Sequence, residues 1–531
     1  MISSSRKTAI SLSSLSFLFA CIAILWFVHS ASQLVTEALG HDQTWYLFAA
    51  QRFLGGAKLY GPHLVETNPP FIIWFSVLPV LLSRAIHVAP PVALRLLVLI
   101  MIVGSIAWSI RVLRLNARQF STVSLVLLSC SILVVEFPAS NRLFGQREHM
   151  LVICALPYVL AAATGVMRRL AFAERCALGL TVGIALCFKP QQALVLVGLE
   201  LFLVAYTRRL RTLVAPELLS AIFACGLYLV LARILTPRYF TEIVPLLLNT
   251  YWAFGSYTAK ALMFRQRNEM LLLFAVSIAC FVLHRYLHDR AVVIALLVCG
   301  VAASITFDLQ HTGWGYQLYP SIAFLVLAAF YLVIDLLDPI ITPLDAKSRL
   351  SAPVLFATLS LMAVFLATEF IRVRKLVALP SSPSQLDSLL GEVEPNANVY
   401  IFSTALPVFT TVYRHNLGWG SRFAHLWMLP AIVRNELGPT NHDAPFKTIR
   451  PETLAALADL QRMDTAEDLD YWKPAIVLVE HCTPEHPCEF IEARHFDILS
   501  WFLQSPKFAA VWSHYKRQPS VDDYDVYAFV P

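Results

Sequence analysis

The chain reads as a series of apolar runs near 20 residues long, separated by short charged or aromatic loops. Such a run predicts a helix that crosses the hydrocarbon core, because a helix satisfies its own backbone hydrogen bonds there. The first ends at Val28, and others fall at roughly 92–112, 120–138, 150–167, 175–188, 191–207, 213–233, 269–287, 291–307, 316–336 and 351–371. Residues 71–87 are also apolar, but the run is short and Pro79 interrupts it, so it reads as a span or as a helix at the interface. After residue 371 the pattern changes. A Pro/Ser segment at 380–383 leads into strand-like runs at 399–403, 475–479 and 526–530, with helical stretches between them. This predicts a transmembrane domain over 1–371, with its first loop at 31–91, and a small extracytoplasmic α/β domain over 372–531.

Charge decides how residues 71–87 are read. The basic clusters are Arg111/Arg114/Arg118, Arg168/Arg169/Arg175, Arg208/Arg209/Arg211, Arg285/Arg290 and Lys347/Arg349. If 71–87 stays at the interface, all five fall on the same side as Arg6 and Lys7. If it crosses, all five land on the other side. Short cytoplasmic loops carry the excess of Lys and Arg, which favours the first arrangement. The expectation is therefore about eleven spans in a cytoplasmic membrane, the N-terminus inside and the tail outside. The run that follows Arg6 and Lys7 is long and lacks a small-residue cleavage site, so it reads as a retained span.

Composition agrees with lipid as the main solvent. Hydrophobic residues make up 57%, charged residues 14%, and mean hydropathy is +0.63; soluble domains carry about 25% charged residues. The net charge of +6 does not point to nucleic acid. Residues 1–370 hold 27 Lys and Arg against 16 Asp and Glu, whereas residues 371–531 hold 14 against 19, so the basic excess belongs to the membrane loops. Eight of the ten cysteines lie in apolar runs and read as small buried hydrophobes. Cys482 and Cys488 lie in the tail, where an oxidising compartment permits a local disulfide; a metal site and free thiols are the alternatives.

The loops opposite the basic clusters carry the unusual polar residues. The first holds His41-Asp42-Gln43-Thr44-Trp45-Tyr46, then 55–60 ending in Lys58 and Tyr60, then Glu66-Thr67-Asn68-Pro69-Pro70. Arg95 opens the next span. Asn141, Arg142, Gln146, Arg147, Glu148 and His149 follow, then the turn Lys189-Pro190-Gln191-Gln192, an aromatic loop at 234–268, and finally Asp308, His311, Trp314 and Tyr316. Ionisable groups at span ends are costly unless they face water or a partner, so five such loops on one face point to a site.

His41-Asp42 with Tyr46, then 55–60, then Asn68-Pro69-Pro70, resembles the first loop of the C-type glycosyltransferases. The group is the one holding protein O-mannosyltransferases and the lipid A aminoarabinose transferase. Arg95, Gly313-Trp314, Tyr316 and Pro320 also fit. Gln43 stands where many relatives have a second acid, and the late loop lacks the His that follows Tyr in some relatives. The resemblance implies a GT-C-like fold and transfer of a sugar from a polyprenyl-phosphate donor to a lipid, polysaccharide or protein hydroxyl. It also implies Asp42 as the base of a one-step inverting displacement. Arg147 and Lys189, with Arg95 and His311, would hold the donor phosphate. Tyr60, Glu66, Gln146, His149 and Tyr316 would contact substrate, Glu66 orienting the acceptor or pairing with Lys58. Trp45 and Tyr46 read as interface anchors. No cofactor is required; Asp42, Glu148 and His149 are the set a divalent ion would use, although no compact ligand motif demands one. A lipid-linked sugar flippase and a non-catalytic envelope assembly protein are the competing readings. The first predicts mid-span charges and repeated halves, neither of which the pattern offers; the second makes the tail the working part.

Overall fold

The computed structural model describes residues 39–531, apart from 117–119, 138–142, 256, 342–383, 407, 440–445 and 493, together with scattered positions between 21 and 34. The expected first and last spans lie largely outside the described residues, as do Arg6, Lys7, Arg118, Asn141, Arg142, Lys347, Arg349 and the segment 380–383.

The apolar runs form helices. In chain order they are α1 (His41–Leu54), α2 (Phe71–Ile86), α3 (Pro90–Leu115), α4 (Thr122–Glu136), α5 (Arg147–Ala163), α6 (Phe172–Phe188), α7 (Ala193–Thr207), α8 (Pro216–Leu235), α9 (Val244–Thr250), α10 (Ala259–Arg265), α11 (Arg267–Val282), α12 (Arg290–Gln310) and α13 (Tyr319–Ile341). Five helical stretches among the described residues are long and apolar enough to cross a membrane: Pro90–Leu115, Pro190–Thr207, Pro216–Leu235, Arg290–Gln310 and Gly315–Pro339. Four of the other expected spans are helices of 15–17 residues, namely α4, α5, α6 and α11.

The chain divides into two compact units. Unit 1 holds Val92–Leu229 and the described residues from Lys260 to 341; unit 2 holds Ala38–Pro91, Val230–Ala259 and the tail from Leu379. The unit that contains the tail therefore also contains the first loop, with α2, and the aromatic loop as far as Ala259.

In unit 1, side-chain bonds fix which helix ends meet. At one end, Arg111 on α3 pairs with Glu174 on α6 at 2.8 Å, Arg175 with Glu217 on α8 at 2.7 Å, and Asn116 donates to Asp289 at 2.7 Å. At the other end, the last turn of α4 meets the first of α5, and the end of α6 meets both α5 and the segment before α13. The basic clusters at the first end and the polar loops at the second are thus segregated along the helices, as consecutive antiparallel spans require.

Unit 2 carries a five-stranded sheet of order β2-β1-β3-β5-β4, with β1 (Asn398–Phe402), β2 (Gly418–Trp419), β3 (Ile476–Glu480), β4 (Tyr515–Val521) and β5 (Tyr524–Phe529). β2, β1 and β3 run parallel; β5 pairs antiparallel with β3 and with β4. β1 and β3 are apolar on both faces, as buried parallel strands are. The tail helices include α14 (Ser384–Glu392), α15 (Phe409–Arg414), which packs against α1, α16 (Leu429–Leu437) and α17 (Pro451–Trp472). Cys482 and Cys488 form a disulfide, Cα atoms 4.9 Å apart, that closes the loop after β3.

Candidate active site

The first loop folds as a locked piece of unit 2. Gly40 caps α1, and Asp42 lies in its first turn, where a carboxylate suits the helix dipole. His41 Nε2 lies 3.3 Å from Asp42 Oδ1, and the Asp42 side chain is 18% exposed. Further along α1, Trp45 is buried against Phe48 and against Phe409 of the tail, ring centroids 5.9 and 5.4 Å away. Its Nε1–H donates to Glu66 Oε2 at 2.5 Å. Glu66 Oε1 accepts from the Asn68 backbone N–H at 2.9 Å and from its Nδ2 at 2.7 Å.

These contacts correct one sequence expectation. Trp45 is a core residue of unit 2 and not an interface anchor, because its ring is enclosed and its N–H is bonded. Glu66, expected to orient the acceptor or pair with Lys58, uses its oxygens to hold Trp45 and the Asn68 turn. Tyr60, expected to contact substrate, is buried at positive φ, 61°, and its hydroxyl donates to the Asn68 carbonyl at 2.6 Å, which supports the Asn68-Pro69-Pro70 turn.

The other end of α1 is tied to the tail. Arg52 Nη1 donates to the Ser421 carbonyl at 2.6 Å, Nη2 donates to the Trp419 carbonyl, and the guanidinium lies 4.6 Å from the Trp472 ring centroid. The Val65 N–H donates to the Arg422 carbonyl at 2.8 Å. Arg422 is itself gripped by Asp468 and Asp464 of α17, each at 2.7 Å. Residues 419–425 thus run beside the first loop and bring His425 into the electrostatic field of His41 and Asp42. Burial pushes the His425 imidazole down to about 4; His41 adds to this and Asp42 opposes it.

Unit 1 gathers the second group of candidates. Gln146 caps α5, and Arg147 and Glu148 occupy its first turn; all three are buried. Lys189, also buried, closes α6 and forms an ion pair with Glu148. Its Nζ lies 5.7 Å from the Tyr316 ring centroid. Thr306 Oγ1 on α12 donates to the Ala302 carbonyl at 2.9 Å and lies 3.4 Å from the Gln191 carbonyl, so the Lys189 turn sits beside the helix that ends at His311. Arg265 holds the late loop through the Gly313 carbonyl at 2.6 Å. The structure therefore brings together Glu148, Lys189 and Tyr316, with Gln146 and Arg147 on the same end of α5, His311 exposed at the end of α12 and half-buried Arg95 in the first turns of α3.

His149 joins two helices. Its Nδ1 accepts from the Gly145 N–H at 3.0 Å, so the ring proton sits on Nε2, which donates to the Glu136 carbonyl at 2.7 Å. Both nitrogens are thus used between α4 and the start of α5. Among the described residues no group of three or more His, Cys, Asp or Glu side chains is arranged to hold a metal ion.

Sequence reasoning passed over Glu136 and Glu200. Glu136 accepts from Ser105 Oγ at 2.5 Å, and Glu200 from the Tyr158 hydroxyl at 2.6 Å. The signal was available, since a carboxylate inside an apolar run is rare. Gln192 was seen only as part of a turn.

The fold is that of a multi-pass α-helical membrane protein with a small C-terminal sheet domain. No protein-family model and no curated protein sequence matches the chain. Similar solved structures include ArnT from Cupriavidus metallidurans bound to undecaprenyl phosphate, 14% identical over 97% of this chain and 98% of that one, with a TM-score of 0.49. The archaeal oligosaccharyltransferase AglB from Archaeoglobus fulgidus, in complex with an inhibitory peptide and a dolichol-phosphate, is 11% identical over 95% of this chain and 73% of that one, with a TM-score of 0.46. The arabinofuranosyltransferase AftD from mycobacteria is 13% identical over 98% of this chain and 42% of that one, with a TM-score of 0.45.

Proposed function

We propose that the chain is a membrane glycosyltransferase that moves a sugar from a polyprenyl-phosphate donor to an acceptor hydroxyl on the extracytoplasmic face. The observation that carries this reading is the buried charge of unit 1, where Lys189 pairs with Glu148 and Arg147 is buried in the same first turn of α5. Buried charge in a lipid-solvated bundle costs several kcal/mol per ion, and a fold keeps it for function. Cations there suit a lipid phosphate. The first-loop resemblance supplies the base. Of the loop's carboxylates Asp42 and Glu66, Glu66 is taken up by Trp45 and Asn68, and Asp42 keeps an exposed face.

In the reaction, the acceptor oxygen attacks the anomeric carbon while its proton passes to Asp42. The bond from that carbon to the phosphate oxygen breaks, and its electron pair leaves with the lipid phosphate. Arg147 and Lys189 stabilise the charge that develops there, with Arg95 and His311 behind them. Gln146 and Tyr316 contact the sugar. One displacement inverts the anomeric centre and needs one carboxylate, which is consistent with Gln43 beside Asp42.

The test uses the full chain in proteoliposomes with undecaprenyl-phosphate-linked sugars and an envelope glycolipid extract. Asp42→Asn should lower transfer by about 100-fold or more, the usual contribution of a general base, and leave undecaprenyl phosphate binding intact. Undiminished transfer by Asp42→Asn would remove the base assignment. A variant that transfers normally but fails to translocate lipid would point to a flippase.

A further inference from the structure

Gln192 closes the 3-10 turn Pro190–Gln192 and stands at the N-terminal boundary of α7. It is 1% exposed, and its backbone N–H donates to the Lys189 carbonyl at 2.9 Å. Its side-chain amide is different. Nε2 and Oε1 are both enclosed, and neither has a hydrogen-bond partner among the described residues. Leaving a buried donor or acceptor unmet costs about 1–3 kcal/mol per group, and folded proteins satisfy nearly all such groups. A position that only had to fill this volume would carry Leu or Met.

Its neighbours say what the amide is for. Lys189, three residues earlier, pairs with Glu148 and lies near the Tyr316 ring. Glu148 Oε2 is likewise enclosed with no partner among the described residues. The adjacent Gln191 carbonyl lies 3.4 Å from Thr306 Oγ1 of α12. Gln192 is thus fixed to the turn that carries Lys189, on a helix joint where a side chain can turn without breaking a helix.

We propose that Gln192 is a sugar-recognition residue whose amide hydrogen-bonds the hydroxyls of the donor sugar held through its phosphate at Lys189 and Arg147. The inference rests on the glycosyltransferase reading above. A phosphate oxygen only accepts hydrogen bonds at neutral pH, so it would occupy Nε2 and leave Oε1 unmet. A sugar hydroxyl both donates and accepts, and two neighbouring hydroxyls match the amide's donor and acceptor together. The neutral amide also does not compete with Lys189 and Arg147 for the anion. A site that must hydrogen-bond a hydroxyl rejects a ligand lacking it far more strongly than an apolar pocket rejects a wrong shape. Gln192 therefore sets which sugar is accepted, whereas the cations set that a phosphate is.

The experiment compares binding of bare undecaprenyl phosphate with a panel of undecaprenyl-phosphate hexoses and pentoses, using the full chain in nanodiscs. Wild type should bind at least one sugar lipid about tenfold tighter than the bare lipid, a difference of about 1.4 kcal/mol. Gln192→Leu, and Gln192→Met as an unbranched alternative, should lose that gain and keep bare-lipid affinity within about twofold. Their Tm should match or exceed wild type, because an apolar side chain replaces an unmet amide. Retention of the sugar gain in both variants overturns the proposal. So does an equal loss of bare and sugar lipid binding, or a wild type for which no sugar adds affinity. Lys189→Gln reports on the underlying reading by itself: it should weaken the bare lipid, and unchanged affinity there removes the phosphate assignment whatever Gln192 does.

Discussion

Two carboxylates of the first loop have opposite fates. Glu66 accepts from Trp45 and Asn68, and Asp42 sits at a helix start with part of its surface in solvent. Removing a partner from a buried hydrogen bond costs more than removing an exposed charge. Glu66→Gln should therefore lower the unfolding free energy by about 1–3 kcal/mol, and Asp42→Asn by less, about 0.3–1 kcal/mol for the charge at the helix start; thermal denaturation in detergent separates the two. His425 allows a pH prediction. Its folded imidazole titrates near 4 because it is buried, whereas an unfolded histidine titrates near 6.5. The folded state binds fewer protons between those values, so this contribution is complete above pH 6.5 and is lost as pH falls towards 4. His425→Phe should lose less Tm than wild type between pH 7 and 4.5, and parallel curves would show that His425 is not the group responsible.

The helices themselves set where the cations lie. Gly179 and Gly183 put α6 directly on the backbone of α8: a Cβ at Gly183 would lie 2.5 Å from the Ala221 carbonyl oxygen, and one at Gly179 would collide with the Glu217 carbonyl. Both glycines meet α8 at the same offset along the chain, so the two helices run parallel and in step. Small residues four apart allow this approach in lipid, where close packing replaces the hydrophobic effect as the driving force. α6 ends at Phe188, beside the middle of α8, and Lys189 therefore lies part-way along that helix and not at its end. Helices of 15–17 residues reach only about 23–26 Å at 1.5 Å per residue, short of a hydrocarbon core of about 30 Å. The polar residues begin inside what reads as one apolar length. Gly183→Leu should overpack the seam by about 1–3 kcal/mol, lower Tm by several degrees and, by displacing the end of α6, weaken undecaprenyl phosphate binding. Weakened binding with Tm unchanged would mean that the seam does not carry the stability assigned to it.

At the level of the whole molecule, the tail is not a separable appendage of the first loop. Arg52 bonds two tail carbonyls, Val65 bonds a third, and Trp45 and Phe48 pack on Phe409. A chain ending before Leu379 should therefore leave residues 38–91 open to protease, and limited proteolysis of intact and shortened chains reads this directly. Protection that survives the truncation would show that the loop folds without the tail. Closing the loop after β3, the Cys482–Cys488 bond needs an oxidising compartment, which agrees with a tail proposed to lie outside the cytoplasm.

Apolar length and the placement of Arg and Lys are local properties, and they by themselves determined a multi-pass helical chain whose loops alternate between a basic end and a polar end. Strong β-propensity in short apolar runs marked β1, β3 and β5. It did not mark β4, whose exposed Lys516, Arg517 and Gln518 lie on the sheet edge, nor the two-residue β2. An edge strand is free to be polar because one side of it is unpaired. Only the tertiary structure decided which polar residues are used to hold the fold. Glu66, Tyr60 and His149 look like ligands in the sequence, yet each is satisfied by a backbone or side-chain partner that the fold brings to it. Gln192 looks like an ordinary turn residue, yet it lies buried with its amide unmet. Hydrogen-bond satisfaction depends on which partners the fold delivers, often from distant segments, and a sequence pattern does not carry that information.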